Sequence, residues 1–479
     1  VIHIQVGRIE QPTTMQHIDA QAWLLVVVLT NAAGLLVIAW ANALARAESE
    51  WALPLLYAGL LTLVVPITAR LFLTTPTRSE RIGMIVLLGL SLYLVKVLSS
   101  PTMFTHFDEL LHWRTAHDVL TSGHLFQPNA MLPISPSYPG LEVVTTALVR
   151  LTGLPIFEAG IIVIGAARLL GVLALFLLLE EISDSARVGS IGALLYATNP
   201  GFIVFNAQFA YESLALPLGV FALWLLARRL RRNETARAAT LATLLVLAAI
   251  VVTHHLTSFA LATFLLLLTL VELKVSKDRT RVHRIVALYL AAIVAWMILV
   301  APIVLGYLEP YTVGAVEQII RLMLNEVTTR PLFTDFSGQA APAWERVVSF
   351  GSLGLIVLGL PWGLWHIWRH HRGNAFALAL GIASLAYIAG LPLRLLPRVS
   401  DVSARSAAFL FIAIAFVLAL VLATPRGRKW TTIGTVWALV MFAGGYILGA
   451  GAPWARLPGP YLVSADARSI EPQGIAAAQ

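Results

Sequence analysis

The chain has 479 residues, of which 58% are hydrophobic and only 12% charged, a balance that no water-soluble fold can accommodate. Cysteine is absent, which excludes disulfides, thiolate zinc sites and cysteine nucleophiles. The formal charge of +8 sits in short clusters between apolar runs, where charge records membrane orientation, so no nucleic-acid partner is expected.

Apolar runs of 17 to 25 residues recur along the chain, long enough to cross a hydrocarbon core of about 30 Å as helices. The short alternating strands of a barrel are missing. The expected fold class is an all-α polytopic membrane protein with about thirteen transmembrane helices, accompanied by external amphipathic or re-entrant helices. Residues 1–20 lack the cationic flank, short apolar core and cleavage site of a signal peptide, so the first helix is expected to be retained. Spans are predicted at 21–44, 52–73, 82–99, 156–180, 187–204, 210–228, 238–252, 254–272, 284–307, 347–368, 375–392, 404–423 and 430–450.

Sidedness follows from the basic loops. Arg78 with Arg81, Arg228 to Arg237, Lys274 to Arg284, Arg369 with Arg372 and Arg426 to Lys429 should face the cytoplasm. Parity then puts the N-terminus inside, and residues 100–155, 205–210, the turn at His254, 308–346, 393–403 and the tail outside. It requires that LEVVTTALVRLTG, 13 residues between Pro139 and Pro155, does not cross; it reads as an external or re-entrant helix. The chain divides into an N-terminal part with two additional spans (1–81), a core (82–423) with external loops 100–155 and 308–346, and a last span with a Pro/Gly/Ala-rich tail expected to be mobile (424–479).

The external loop after Ser99 is the densest polar segment, with Asp108, Glu109, Asp118 and four histidines. Residues 108–121 have helical character and end at Gly123, so Asp108 and His112 share a face while Glu109 points elsewhere. A carboxylate at a helix mouth can act as a base or bind a cation; the same residues also suit a solvated interfacial helix. The histidine spacing makes no compact zinc set. Glu212 opens an apolar helix on the same side, where the helix dipole alone would favour it and where a partnership with Asp108 is the functional alternative. His254 and His255 interrupt an apolar run, either as a cavity lining or as an interfacial turn. Arg394, Arg398 and Arg405 lie outside against the charge bias, which points to an anionic ligand such as phosphate, or to snorkelling toward lipid phosphates. In loop 308–346, GAVEQIIRLML pairs Glu317 with Arg321 and reads as an amphipathic helix, a lid or inert packing.

In order, FDE (107–109), SYPGLEVVTTALVRLTGLPIFEAG, NPGFIVFNAQFAYESLALPLG, VVTHHLTSF and SDVSARSAAFLFIAIAF resemble the GT-C superfamily of membrane glycosyltransferases, and within it the membrane domain of the oligosaccharyltransferase catalytic subunit. The resemblance covers roughly residues 82–423. It implies an enzyme of the cell membrane and cell envelope that moves a sugar, with inversion, from a polyprenyl-phosphate-linked donor to an extracytoplasmic glycan, lipid or protein acceptor. On that resemblance Asp108 is the catalytic carboxylate and Glu109 its support, Asp108 and Glu212 are ligands for a divalent cation (Mg²⁺ or Mn²⁺), and Arg405 with Arg398, His254 and His255 forms the donor phosphate and sugar pocket. The soluble domain and WWDYG-type motif of oligosaccharyltransferase are not in this sequence, which favours a relative that transfers a monosaccharide. A transporter or flippase of lipid-linked sugars is the alternative, and predicts ionisable residues at mid-membrane; Arg70, Lys96 and Arg168 are the charges inside the spans.

Overall fold

The computed structural model of the protein describes residues 14–232, 236–275, 282–309, 340–396, 400–424, 427–451 and 456–459, with isolated positions between 317 and 334. The described residues form helices joined by turns, with a single isolated bridge, Thr334 to Ala340. In chain order the helices are α1 (Thr14–Arg46), α2 (Ala52–Phe72), α3 (Arg78–Ser99), α4 (Phe107–Ser122), α5 (Gly140–Thr152), α6 (Ile156–Ser183), α7 (Ala186–Tyr196), α8 (Tyr211–Arg232), α9 (Arg237–Thr253), α10 (His255–Val275), α11 (Val282–Leu299), α12 (Ala343–His370), α13 (Ala375–Gly390), α14 (Ser400–Leu422) and α15 (Arg428–Gly449). Short 3₁₀ turns lie at Ser135–Ser137, Phe205–Ala207 and Leu391–Leu395. The chain is a multi-pass membrane protein.

Among the described residues eleven helices are long and apolar enough to span, not thirteen. The two shortfalls are the spans expected at 187–204 and 238–252. At 17 residues α9 rises about 26 Å, just short of the hydrocarbon thickness. The other has a chemical cause: α7 has only 11 residues, and Asn199, Pro200 and Gly201 end helical geometry beyond it. Residues 197–210 complete the crossing as turns and one 3₁₀ turn, all buried or half-buried. Non-helical backbone at this depth persists only where protein supplies its hydrogen bonds. Arg168 does so from α6, donating to the carbonyls of Phe202 (2.7 Å) and Asn206 (2.8 Å), with its guanidinium 4.1 Å from the centre of the Phe202 ring. Glycines on α15 let the segment approach: a Cβ at Gly445 would lie 1.8 Å from the Thr198 carbonyl, and one at Gly449 would lie 1.6 Å from that of Pro200.

Two further buried cations, Arg70 and Arg81, are likewise held by protein. Arg70 pairs with Glu80 at 2.7 Å, and Arg81 donates to the carbonyls of Leu71 and Leu73, both at 2.8 Å. One end of the bundle gathers bidentate pairs from Arg78 to Glu180 and from Arg232 to Glu181. At the other end come together the C-termini of α3, α9 and α11 and the N-termini of α6, α8, α10, α12 and α14. Residues 456–459, in the tail read as mobile from composition, are buried there. Arg456 makes a bidentate pair with Glu345 (2.5 and 2.8 Å) and bonds Tyr57 of α2; the Arg456 and Glu345 side chains are 1% and 0% exposed. Burial lowers the charge preference of Arg456, but the Glu345 carboxylate outweighs it and raises its pKa above the ordinary value.

Candidate functional site

The site is built on α4, which begins and ends where the sequence places it. Gly123 caps it with φ +72°, a conformation that glycine adopts without steric cost. Its third residue, Glu109, is fully buried and forms an ion pair with Lys96 of α3. The same carboxylate accepts N–H bonds from Phe209 (3.0 Å), His106 (3.2 Å) and Thr105 (3.3 Å). Burial opposes its ionisation, but Lys96, His106 and the amides outweigh that and hold its pKa below the ordinary carboxylate value. Phe104 stacks on Phe209 at 4.7 Å, so α4 is clamped to the irregular segment that closes the broken crossing.

The clamp leaves Asp108 half-exposed and turns His112 inward, where it is 1% exposed. Nδ1 of His112 meets Glu142, the third residue of α5, at 2.7 Å, and Ser135 lies 3.4 Å from both. The α5 helix occupies Gly140–Thr152, the stretch read as non-crossing. Its first residue seats against α9: a Cβ on Gly140 would fall 2.1 Å from the Thr253 hydroxyl.

Tyr211, the first residue of α8, is the hub. It meets His112 edge-on (centroids 4.4 Å, 77°) and stacks on His254 (4.2 Å, 28°). His254 shares a hydrogen bond with Thr257 through Nδ1 (2.8 Å), while its Nε2 and both ring nitrogens of His255 are buried without a hydrogen-bond partner. Tyr138 and Tyr307 flank His255 at 5.1 and 5.7 Å, and burial pushes the Tyr138 hydroxyl up to about 12. Asp108, Glu212, Arg405 and Tyr307 all lie within electrostatic reach of the Tyr211 hydroxyl. Glu212 accepts from the Asn206 amide at 3.0 Å, and Arg405 places its guanidinium 4.9 Å from the centre of the Phe205 ring.

The structure therefore gathers Asp108, Glu212, His254, His255 and Arg405 around one tyrosine and turns Glu109 away into the protein. Arg398 lies outside the described residues, as does most of the amphipathic stretch in loop 308–346, although Glu317 and Arg321 are paired at 2.5 Å. Arg394 packs over Tyr387 at 5.8 Å. Sequence reasoning missed Tyr211 as the hub and Glu142 as the partner of His112. The signal for the first was an aromatic residue next to Glu212 at a helix mouth; the second depends on a fold-back across 30 residues that no local pattern reports.

Among the described residues no three His, Asp or Glu side chains group as a metal-binding set. Two carboxylates are nevertheless what a Mg²⁺-like ion uses when water and substrate phosphates supply its remaining ligands.

No protein-family model matches the chain, and no curated protein matches it by sequence. Among solved structures it is similar to the archaeal oligosaccharyltransferase AglB from Archaeoglobus fulgidus, in complex with an inhibitory peptide and a dolichol-phosphate. The TM-score is 0.52 and the identity 14%, over 84% of this chain and 57% of that one. The chain thus spans little more than half of the length of that protein, and at this identity the likeness is one of fold. That likeness of fold accords with the resemblance read from the sequence.

Proposed function

With a fold shared with a membrane oligosaccharyltransferase as the premise, we propose that this chain is a GT-C-type glycosyltransferase that moves a sugar from a polyprenyl-phosphate-linked donor to an acceptor on the extracytoplasmic face. The observation that carries the reading is the setting of Tyr211 at one end of the bundle, in ring contact with His112 and His254 and within electrostatic reach of Asp108, Glu212 and Arg405. A half-exposed carboxylate and a guanidinium in one neighbourhood support the reading. Glycosyl transfer needs those two groups: a base for the acceptor and a cation for the departing phosphate.

In this mechanism the acceptor nucleophile attacks the anomeric carbon from the face opposite the phosphate, and its proton passes to Asp108. The bond between the anomeric carbon and the phosphate oxygen breaks, and the electron pair leaves on the phosphate, where Arg405 offers two parallel N–H donors. Phe205 packs against that guanidinium, 4.9 Å from ring centre to Cζ. Glu109 positions Asp108 by locking the first turn of α4 and does not itself meet the acceptor. His254 and His255 present buried ring nitrogens without partners, ready to bond sugar hydroxyls. A divalent cation held by Asp108 and Glu212 would add charge compensation at the donor phosphate.

A transport pathway would need ionisable groups free to meet cargo inside the membrane. Arg70, Lys96 and Arg168 are all engaged with protein partners, which favours the enzyme. The test is incubation of purified protein with radiolabelled polyprenyl-phosphate sugars, with and without divalent cation, beside Asp108→Asn. Sugar released from lipid by the wild type and not by the variant supports the transfer. Absence of turnover with every donor, together with flipping of lipid-linked sugar in reconstituted vesicles, would overturn it.

A further inference from the structure

A cavity of about 970 Å³ lies between α12, α13, α14 and α15, and none of Asp108, Tyr211, His254, His255 or Arg405 lines it. Its volume is at the upper end of the range of small-ligand sites. Apolar side chains dominate its wall, including Leu353, Ile356, Ile388, Phe411 and Leu448. Spanning helices supply part of the wall and turn residues such as Thr198, Pro200, Phe333 and Pro342 the rest, and an acyl chain suits its apolar interior.

Three polar features narrow the occupant. Arg394 lines the cavity from the 3₁₀ turn after α13, at the same end of the bundle as the Tyr211 cluster. Arg456 and Glu345 also line it, but they neutralise each other through their bidentate pair. That leaves Arg394 as the uncompensated cation among the described lining residues. Ser349 lines the cavity as well, is 1% exposed, and its hydroxyl has no hydrogen-bond partner. A buried hydroxyl without a partner is costly, and an acceptor on an occupant would relieve it. Ser349 lies six residues inside the start of α12, about 9 Å along the axis.

We propose that this cavity is a binding site for an anionic glycerophospholipid, with its phosphate at Arg394, an ester carbonyl accepting from Ser349 and an acyl chain filling the apolar interior. A polyprenyl tail has no oxygen beyond its phosphate and leaves Ser349 unsatisfied, so the carrier lipid is the poorer fit. The site is separate from the Tyr211 cluster, and the inference stands whether or not that cluster transfers sugar.

Native mass spectrometry of the purified full chain, stripped in detergent and titrated with defined lipids, tests it. The wild type should retain one phosphatidylglycerol and exchange it poorly for phosphatidylcholine or polyprenyl phosphate. Arg394→Gln should weaken phosphatidylglycerol binding about tenfold, with partial recovery in Arg394→Lys. The diether analogue, which lacks ester carbonyls, should bind more weakly to the wild type but equally well to Ser349→Ala; this comparison separates loss of the hydroxyl contact from a general defect. Equal retention by wild type and Arg394→Gln would overturn the proposal, as would displacement of phosphatidylglycerol by polyprenyl phosphate or no preference for ester over diether lipid.

Discussion

Replacing Glu109 by Gln removes one charge from a sealed pair. The carboxylate is fully buried and receives Lys96 together with three backbone N–H groups, while the Lys96 side chain is 7% exposed. The amide keeps one acceptor oxygen and turns a donor toward groups that are themselves donors. Removing one partner of a buried ion pair costs about 3–5 kcal/mol, because the other charge is stranded. In a double-mutant cycle with Lys96→Met, the double variant should therefore be more stable than the sum of the single losses by about 2 kcal/mol. Denaturant unfolding in detergent micelles measures all four corners. The pH dependence has a definite sign. Glu109 ionises below the usual 4.5, so its stabilisation is complete above that value and disappears only as pH falls through the lower folded-state pKa. Wild type and Glu109→Gln should differ fully at pH 7 and converge only in stronger acid. Additive single losses, or a cost of Glu109→Gln under about 1 kcal/mol, would refute the clamp.

Asp108→Asn should reduce the transfer rate by about 10²–10⁴-fold and leave the unfolding midpoint unchanged, which separates a group that meets substrate from the neighbour that holds it. Arg405→Gln should lower turnover by about 10²-fold, and Arg405→Lys should restore only part, since an ammonium cannot present the planar fork; steady-state kinetics on a lipid-linked donor checks both. Gly449→Ala drives a methyl group into the Pro200 carbonyl and should cost at least about 1–3 kcal/mol in the same unfolding assay. Arg456→Met should destabilise by about 3–5 kcal/mol, and adding Glu345→Gln should recover part of the loss.

Features of the fold that depend on local pattern were readable in the chain. Gly123 and the run before it fix α4, and a 13-residue apolar stretch between two prolines fixes α5. Hydropathy failed where apolarity and helicity part company: ATNPGFIVF is apolar enough to read as the end of a span, yet Asn199, Pro200 and Gly201 cannot continue a helix, and it is neighbours on α4, α6 and α15 that make the interruption tolerable. The candidate site was legible as a set of charged and histidine residues on one side. Their meeting point was not, because the contacts of Tyr211 with His112 and His254 and of Glu142 with His112 are made between separate helices. Charge alone likewise did not separate the roles of Asp108 and Glu109: adjacent carboxylates on a helix point about 100° apart, and what each one faces is decided by α3 and the segment at Phe209.

The interrupted crossing also sets an order of assembly. Residues 197–210 carry no continuous helical ladder; local turn bonds serve most of their amides, but the carbonyls of Phe202 and Asn206 depend on Arg168. Arg168 is in place before this segment is synthesised, but the glycine face of α15 leaves the ribosome after every other described spanning helix. Until that helix docks, the stretch leading into Asn206, Tyr211 and Glu212 has only half of its wall. A nascent chain halted before Arg428 would hold every residue of the Tyr211 cluster and still lack the surface against which its central segment is shaped.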